Sequence, residues 1–141
     1  GDQASRQDMM PSLVASYNDD DLLATDKTTA DNNFDVKHLF YRNFAKYSAL
    51  YQQYPALRFG QQSTVYAQDK PGIFAIKRSH TMKVNDQEQT QELLVVFNTA
   101  DHWEELDLLN SFKNSKAVYI SAESQKEAQI APLSFAIYQL K

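Results

Sequence analysis

The chain has 141 residues, 43% hydrophobic and 23% charged, a globular balance that is neither disordered nor membrane-like. The net charge of -4, with Lys and Arg scattered and no basic stripe, argues against a nucleic-acid partner, and no apolar run approaches membrane-spanning length. The absence of Cys removes disulfides and thiolate metal sites and leaves the compartment open.

The chain begins Gly1-Asp2-Gln3-Ala4-Ser5 rather than with Met or a signal peptide, which reads as a truncated piece of a longer protein. Residues 1 to 38 are rich in Asp, Asn, Ser and Thr and keep no helical or alternating period. They are expected to be irregular, with at most a short turn over 11–17. The run Asn18-Asp19-Asp20-Asp21 invites comparison with a calcium loop. It lacks that loop's alternating acidic positions, its turn glycine and its distal glutamate, so it reads as a solvated acidic turn.

Residues 39 to 54 carry Phe40, Phe44, Tyr47, Tyr51 and Tyr54 at spacings of four, three, four and three, the signature of one face of a helix. Asp35 is its candidate N-cap or first-turn anion. Pro55 ends it, because the residue before a proline is pushed out of the α region. An aromatic stripe could be a sugar platform, but at helical spacing it is expected to be core.

From 56 onward the pattern is strands and turns. Strands are expected near 61–67, 72–79, 91–98, 103–108, 117–121 and 133–140, with 80–90 a polar hairpin loop. The central one is Leu93-Leu94-Val95-Val96-Phe97, five apolar residues without a break, as in a strand covered on both faces. Leu93, Val95 and Phe97 would lie on one face, Leu94 and Val96 on the other, with residues 72–78 as neighbour. The fold expected is mainly β: an antiparallel β-sandwich of Greek-key type, preceded by an irregular segment and one long α-helix.

Chemistry is sparse. His38, His80 and His102 have no metal-ligand spacing. Three glycines make no phosphate loop, and no serine sits in a nucleophile elbow. No carboxylate pair is singled out for glycoside hydrolysis. No catalytic, cofactor-binding or metal residue is assigned, and no cofactor is expected. Trp103 is the one weak carbohydrate-contact candidate, set against the alternative of an edge-of-core residue.

Several stretches in order resemble the end of the barrel and the C-terminal domain of the α-amylase family of glycoside hydrolases. These are Gly1 to Pro11, Asn33-Phe34-Asp35, His38, Tyr41-Arg42, Ala49-Leu50 and Tyr54-Pro55-Ala56-Leu57-Arg58-Phe59-Gly60, then Gly72 to Arg78, Leu94 to Asn98 and Ala131 to Ala136. The chain departs from the pattern at Leu39, Tyr51 and Tyr54. The resemblance implies that residues 1–58 are the last barrel loop and the eighth barrel helix of a truncated catalytic barrel, and 59–141 a C-terminal β-sandwich domain. Residues Asp2 to Asp8 would then lie at the face of the barrel where active sites form. The parent would cleave or transfer α-glucosidic bonds through carboxylates upstream of this chain, leaving this portion inactive alone. Its partner would be the catalytic barrel of the same parent chain, with a homodimer through the helix face as another candidate; neither nucleic acid nor membrane is expected as a partner. The alternative function is a free-standing β-sandwich module binding carbohydrate or a protein.

Overall fold

The computed structural model describes residues 9–141, apart from the side chains at 110 and 111. The chain divides into two compact units, Gly1–Leu50 and Tyr51–Lys141.

The second unit is built on a five-stranded antiparallel sheet. Its strands are β1 (Gln61–Ala67), β2 (Ile73–Val84), β3 (Gln87–Asn98), β5 (Ser115–Ile120) and β7 (Ser134–Leu140), in the order β1-β2-β3-β7-β5. The expected central strand is central: β3 lies between β2 and β7, with Ala75, Val96 and Ala136 in register across the three. Leu93, Leu94 and Val96 are wholly buried and Val95 nearly so, as a strand covered on both faces requires. A second layer closes over one face. It consists of a two-stranded ribbon, β4 (Glu104–Glu105) with β6 (Gln129–Ile130), and 3-10 turns at Leu106–Leu108 and Asn110–Asn114. Leu106, Leu109 and Ile130 from this layer meet Ile73, Ala75, Leu94, Val96, Ala136 and Tyr138 from the sheet. Each large side chain buried this way contributes roughly 1.5–3 kcal/mol. The architecture is the expected antiparallel sandwich.

Several details differ from the sequence reading. The polar stretch 80–90 is not a loop: β2 and β3 run on to Val84 and Gln87 and pair throughout. Asn85 and Asp86 alone make the turn, both with positive φ (51° and 62°), the conformation of a two-residue hairpin whose twist matches its strands. Polar composition concealed a solvated ribbon there. The strand expected over 103–108 is two residues long and gives way to a 3-10 turn at Leu106. A short second helix, α2 (Pro55–Phe59), follows Pro55, which occupies its first turn, where a missing N–H costs nothing. Strand side chains hold α2 at both ends. Gln91 Oε1 accepts the Ala56 N–H at 3.0 Å, while the Arg78 guanidinium donates to the Ala56 and Leu57 carbonyls at 3.1 and 3.0 Å. At Gly60 a Cβ would stand 2.3 Å from the Ala56 carbonyl oxygen, so the chain leaves this helix through a position only glycine fills.

One buried polar residue organises the seam between the layers. Asn98 is 2% exposed. Its amide donates to the carbonyls of His102 (2.8 Å), Ala131 (3.0 Å) and Ile130 (3.3 Å), and its Oδ1 accepts the Ala100 N–H at 2.9 Å. Without it those backbone groups would be buried unpaired, which proteins avoid.

In the first unit the described residues are largely irregular, as expected, with one 3-10 turn at Ala15–Tyr17 and one isolated bridge, Asp21 to Thr28. Its one long element is the helix α1 (Leu39–Gln53), which begins in this unit.

Candidate functional site

Short polar side chains fix the loops of the first unit. Asn18 closes the 12–18 turn by accepting the Ser12 N–H and donating to the Ser12 carbonyl, both at 2.8 Å. Buried Thr29 exchanges backbone and side-chain hydrogen bonds with Asp20. Asp31 accepts from the Thr28 N–H at 2.9 Å, and Asn33 takes the Met9 carbonyl at 2.8 Å through its backbone. The run 18–21 is not the expected turn: Asn18 closes the preceding loop and Asp21 pairs with Thr28 in an isolated bridge. Among the described residues no group of three or more His, Asp or Glu is placed to hold a metal ion.

The expected N-cap is corrected. Asp35 Oδ1 accepts the Lys37 N–H at 2.8 Å, one turn too early to cap α1. That hydrogen bond, with Lys27 at 3.6 Å, holds its carboxyl below the usual range. His38 is the capping side chain. Its Nδ1 accepts the Phe40 N–H at 3.2 Å, and its Nε2 stands 3.1 Å from the Leu23 carbonyl. The first bond needs a lone pair on Nδ1 and the second a proton on Nε2, so one neutral tautomer serves both. His38 thereby ties the 22–25 loop to the start of α1. Sequence spacing marked it only as a histidine without metal partners; its place just before the helix was the available signal.

The loop and the helix enclose an apolar cleft of about 460 Å³, lined by Met9, Leu22, Leu23, His38, Phe40 and Phe44 among others. Beyond it the aromatic stripe of α1 continues outward. The expectation that this stripe is core is overturned: α1 has no buried residue, and Phe40, Phe44 and Tyr51 are 46%, 72% and 51% exposed. The helical period predicted a face correctly. It could not say whether this chain contains what covers it.

Trp103, the one carbohydrate candidate, lies in the second unit just before β4 and is half-buried. The Lys126 ammonium sits 4.5 Å from its ring centre, a cation–π geometry that occupies one ring face. Beside it, exposed His102 is bracketed by Asp101 Oδ1 (3.1 Å from Nδ1) and Glu104 Oε1 (3.2 Å from Nε2). The hydrogen bond to Asp101 and the two negative charges raise its pKa above the ordinary histidine value. On the opposite face of the sheet from the core, Phe74, Phe97, Phe135 and Tyr119 form a row with ring centres 5.3 to 6.1 Å apart. The Phe74–Phe97 and Phe97–Phe135 rings are inclined by 24° and 29° and the Phe135–Tyr119 rings by 37°. The expected barrel-face loop, Asp2 to Asp8, lies outside the described residues.

No model of a protein family matches the chain. An alpha-amylase of Streptomyces lividans is 38% identical to it over 100 residues, 71% of this chain and 10% of that protein. The chain therefore spans about a tenth of the length of the curated relative it matches. Over that stretch it is similar to this alpha-amylase.

Proposed function

We propose that this chain is the non-catalytic C-terminal region of an α-amylase-like enzyme that cleaves or transfers α-glucosidic bonds. Residues 1–58 complete a catalytic barrel, and the sandwich of 59–141 packs against and stabilises it. The observation that carries this is the helix α1: fifteen residues with no buried side chain and a row of half- to three-quarters-exposed aromatic rings. A helix with one apolar face buries it against something, and monomers rarely leave such a patch open. The similarity to an alpha-amylase supplies the chemistry of the parent, and the catalytic carboxylates belong to its earlier barrel strands.

Three experiments test this. The purified chain, incubated with soluble starch and maltooligosaccharides, should release no reducing ends above background; turnover that copurifies with the chain would overturn it. In the uninterrupted longer polypeptide, Phe44→Ser should lower the melting temperature of the barrel, while in the chain of 141 residues it should leave the melt of the sandwich unchanged. An unchanged barrel melt would sink the assignment of α1 as an interface helix. In the separate chain the same face has a second copy as its available partner, so light scattering should show mass rising with concentration, abolished by Phe44→Ser.

A free-standing carbohydrate-binding module is the weaker alternative. Its candidate ring, Trp103, is half-buried and shares one face with Lys126.

A further inference from the structure

Between the sheet and the β4–β6 ribbon the second unit holds a partly open cavity of about 170 Å³. Trp103, Ile120 and Ala136 belong to its apolar walls, and Ser124, Gln125 and Lys126 to a polar one. Protein interiors keep few voids larger than a water molecule, so what holds these walls together decides whether the space stays closed.

The two sides are held very differently. Trp103 is fixed through both of its chain neighbours. The His102 carbonyl accepts the Asn98 amide at 2.8 Å, and Glu104 pairs with Ile130 in the β4–β6 ladder. The polar side belongs to residues 122–127, which are tied down at their ends. Before them, the Ser121 hydroxyl accepts the Phe135 N–H at 2.8 Å, and the Ser121 N–H donates to the Phe135 carbonyl at 2.9 Å. After them, the Ala128 carbonyl accepts the Leu106 N–H at 2.8 Å, and Gln129 enters β6. In between, residues 123–127 are all exposed. Among the described residues, the one backbone hydrogen bond that 122–127 make is a long one, from the Gln129 N–H to the Lys126 carbonyl at 3.4 Å. A segment with few buried contacts and few hydrogen bonds opens at low cost. The chain leaves it through Ala128, whose φ of 54° is a left-handed conformation that a residue with a Cβ adopts at a cost.

One contact crosses from the loosely held side to the fixed one. The Lys126 ammonium lies 4.5 Å from the Trp103 ring centre. At an exposed site a cation–π contact shifts a balance roughly two- to fivefold, enough to favour the closed position and too little to lock it. We propose that residues 122–127 are a hinged strap over the cavity, latched by the Lys126 ammonium on the Trp103 ring, and that release of this latch opens the apolar walls to solvent. The strap swings between Ser121 and Ala128 while the sheet and the ribbon stay in place.

The chain has no cysteine, so a single introduced thiol reports one position. Ala136→Cys places it on the cavity wall, where the side chain has no exposure. Ala75→Cys places it at an equally buried position of the same sheet, outside the cavity lining. On the full 141-residue chain, the rate of labelling by methyl methanethiosulfonate reads how often each position is uncovered. Lys126→Met keeps a long side chain and removes the charge. It should speed labelling at position 136 roughly two- to fivefold and leave position 75 unchanged, and Lys126→Arg should keep the wild-type rate. Ile120→Cys, on the same cavity wall, serves if Ala136→Cys does not fold. In proton NMR the Lys126 ε-methylene signals should lie upfield of those of the other lysines, shifted by the Trp103 ring, and should return to the common position in Trp103→Leu. Equal labelling at position 136 with and without Lys126→Met would overturn the strap. So would equal acceleration at positions 136 and 75, which would report a loss of stability of the whole unit. Lys126 signals at the common lysine position in the wild-type chain would overturn the latch.

Discussion

The helix α1 carries an aromatic stripe and the strand β3 an unbroken apolar run, and the two meet opposite fates. Five consecutive apolar residues on β3 are buried or nearly so, with β2 on one side and β7 on the other. Five aromatic residues at helical spacing over 40–54 include four that are exposed. An apolar pattern records the burial an element requires. Whether the chain supplies the cover is a separate matter, and the contrast between the two elements locates where cover is missing.

The largest expected effect tests the covered half. Val96→Asp places a carboxylate in the core, where Val96 has no exposure and meets apolar neighbours. Without a partner it carries a heavy desolvation cost or stays protonated. Destabilisation above about 4 kcal/mol is expected, enough to abolish a cooperative melt of the second unit at neutral pH. A near-wild-type melt would show that β3 is not central.

Asn98→Ala should cost about 3 kcal/mol, because it strands several buried carbonyls and the Ala100 N–H at once. Chemical denaturation reads this as a lower midpoint with an unchanged slope. A loss below about 1 kcal/mol would mean that water replaces the amide without penalty.

In the uncovered half the effects are smaller and local. His38→Ala should cost about 1 kcal/mol, read as faster hydrogen exchange in the first turn of α1, and His38→Asn should restore most of it by supplying another side-chain acceptor. The melt of the sandwich should not move. A shift in that melt would show that the His38 cap acts beyond α1.

The smallest effect is that of pH at His102. Its folded pKa is raised by Asp101 and Glu104, so the stabilisation is fully present below the unfolded value of about 6.5. It is lost as pH rises through the folded value. Because the group is fully exposed, the change should be slight, should shrink with added salt, and should vanish in His102→Gln. Stability that instead increases through that window and depends on His102 would contradict the geometry.

The parts legible in advance were those with strong local causes. Leu93 to Phe97 could be read as a doubly covered strand because an amphipathic helix would carry polar residues on one side of such a run. Pro55 ended a helix by sterics alone. The stretch 80–90 was misread because a hairpin ribbon exposed on both faces has no apolar alternation to reveal it. At 103–108 the residues suited a strand. The β4–β6 ladder, however, ends at Glu105, and the core takes Leu106 through a 3-10 turn instead.

The same division holds for the sites. Sequence could name Trp103 as an aromatic of interest. It could not place Lys126 over its ring, because twenty-three positions separate them and only the pairing of β4 with β6 brings them together. The sequence by itself determined the elements, their order and the apolar faces they require, because those follow from backbone sterics and side-chain periodicity along a single segment. Only the tertiary structure decided which faces found cover, that His38 and not Asp35 caps α1, and that Asn98 stitches the two layers. Each of these depends on groups distant in the chain or competing for one bond, and such choices are settled by packing rather than by local preference.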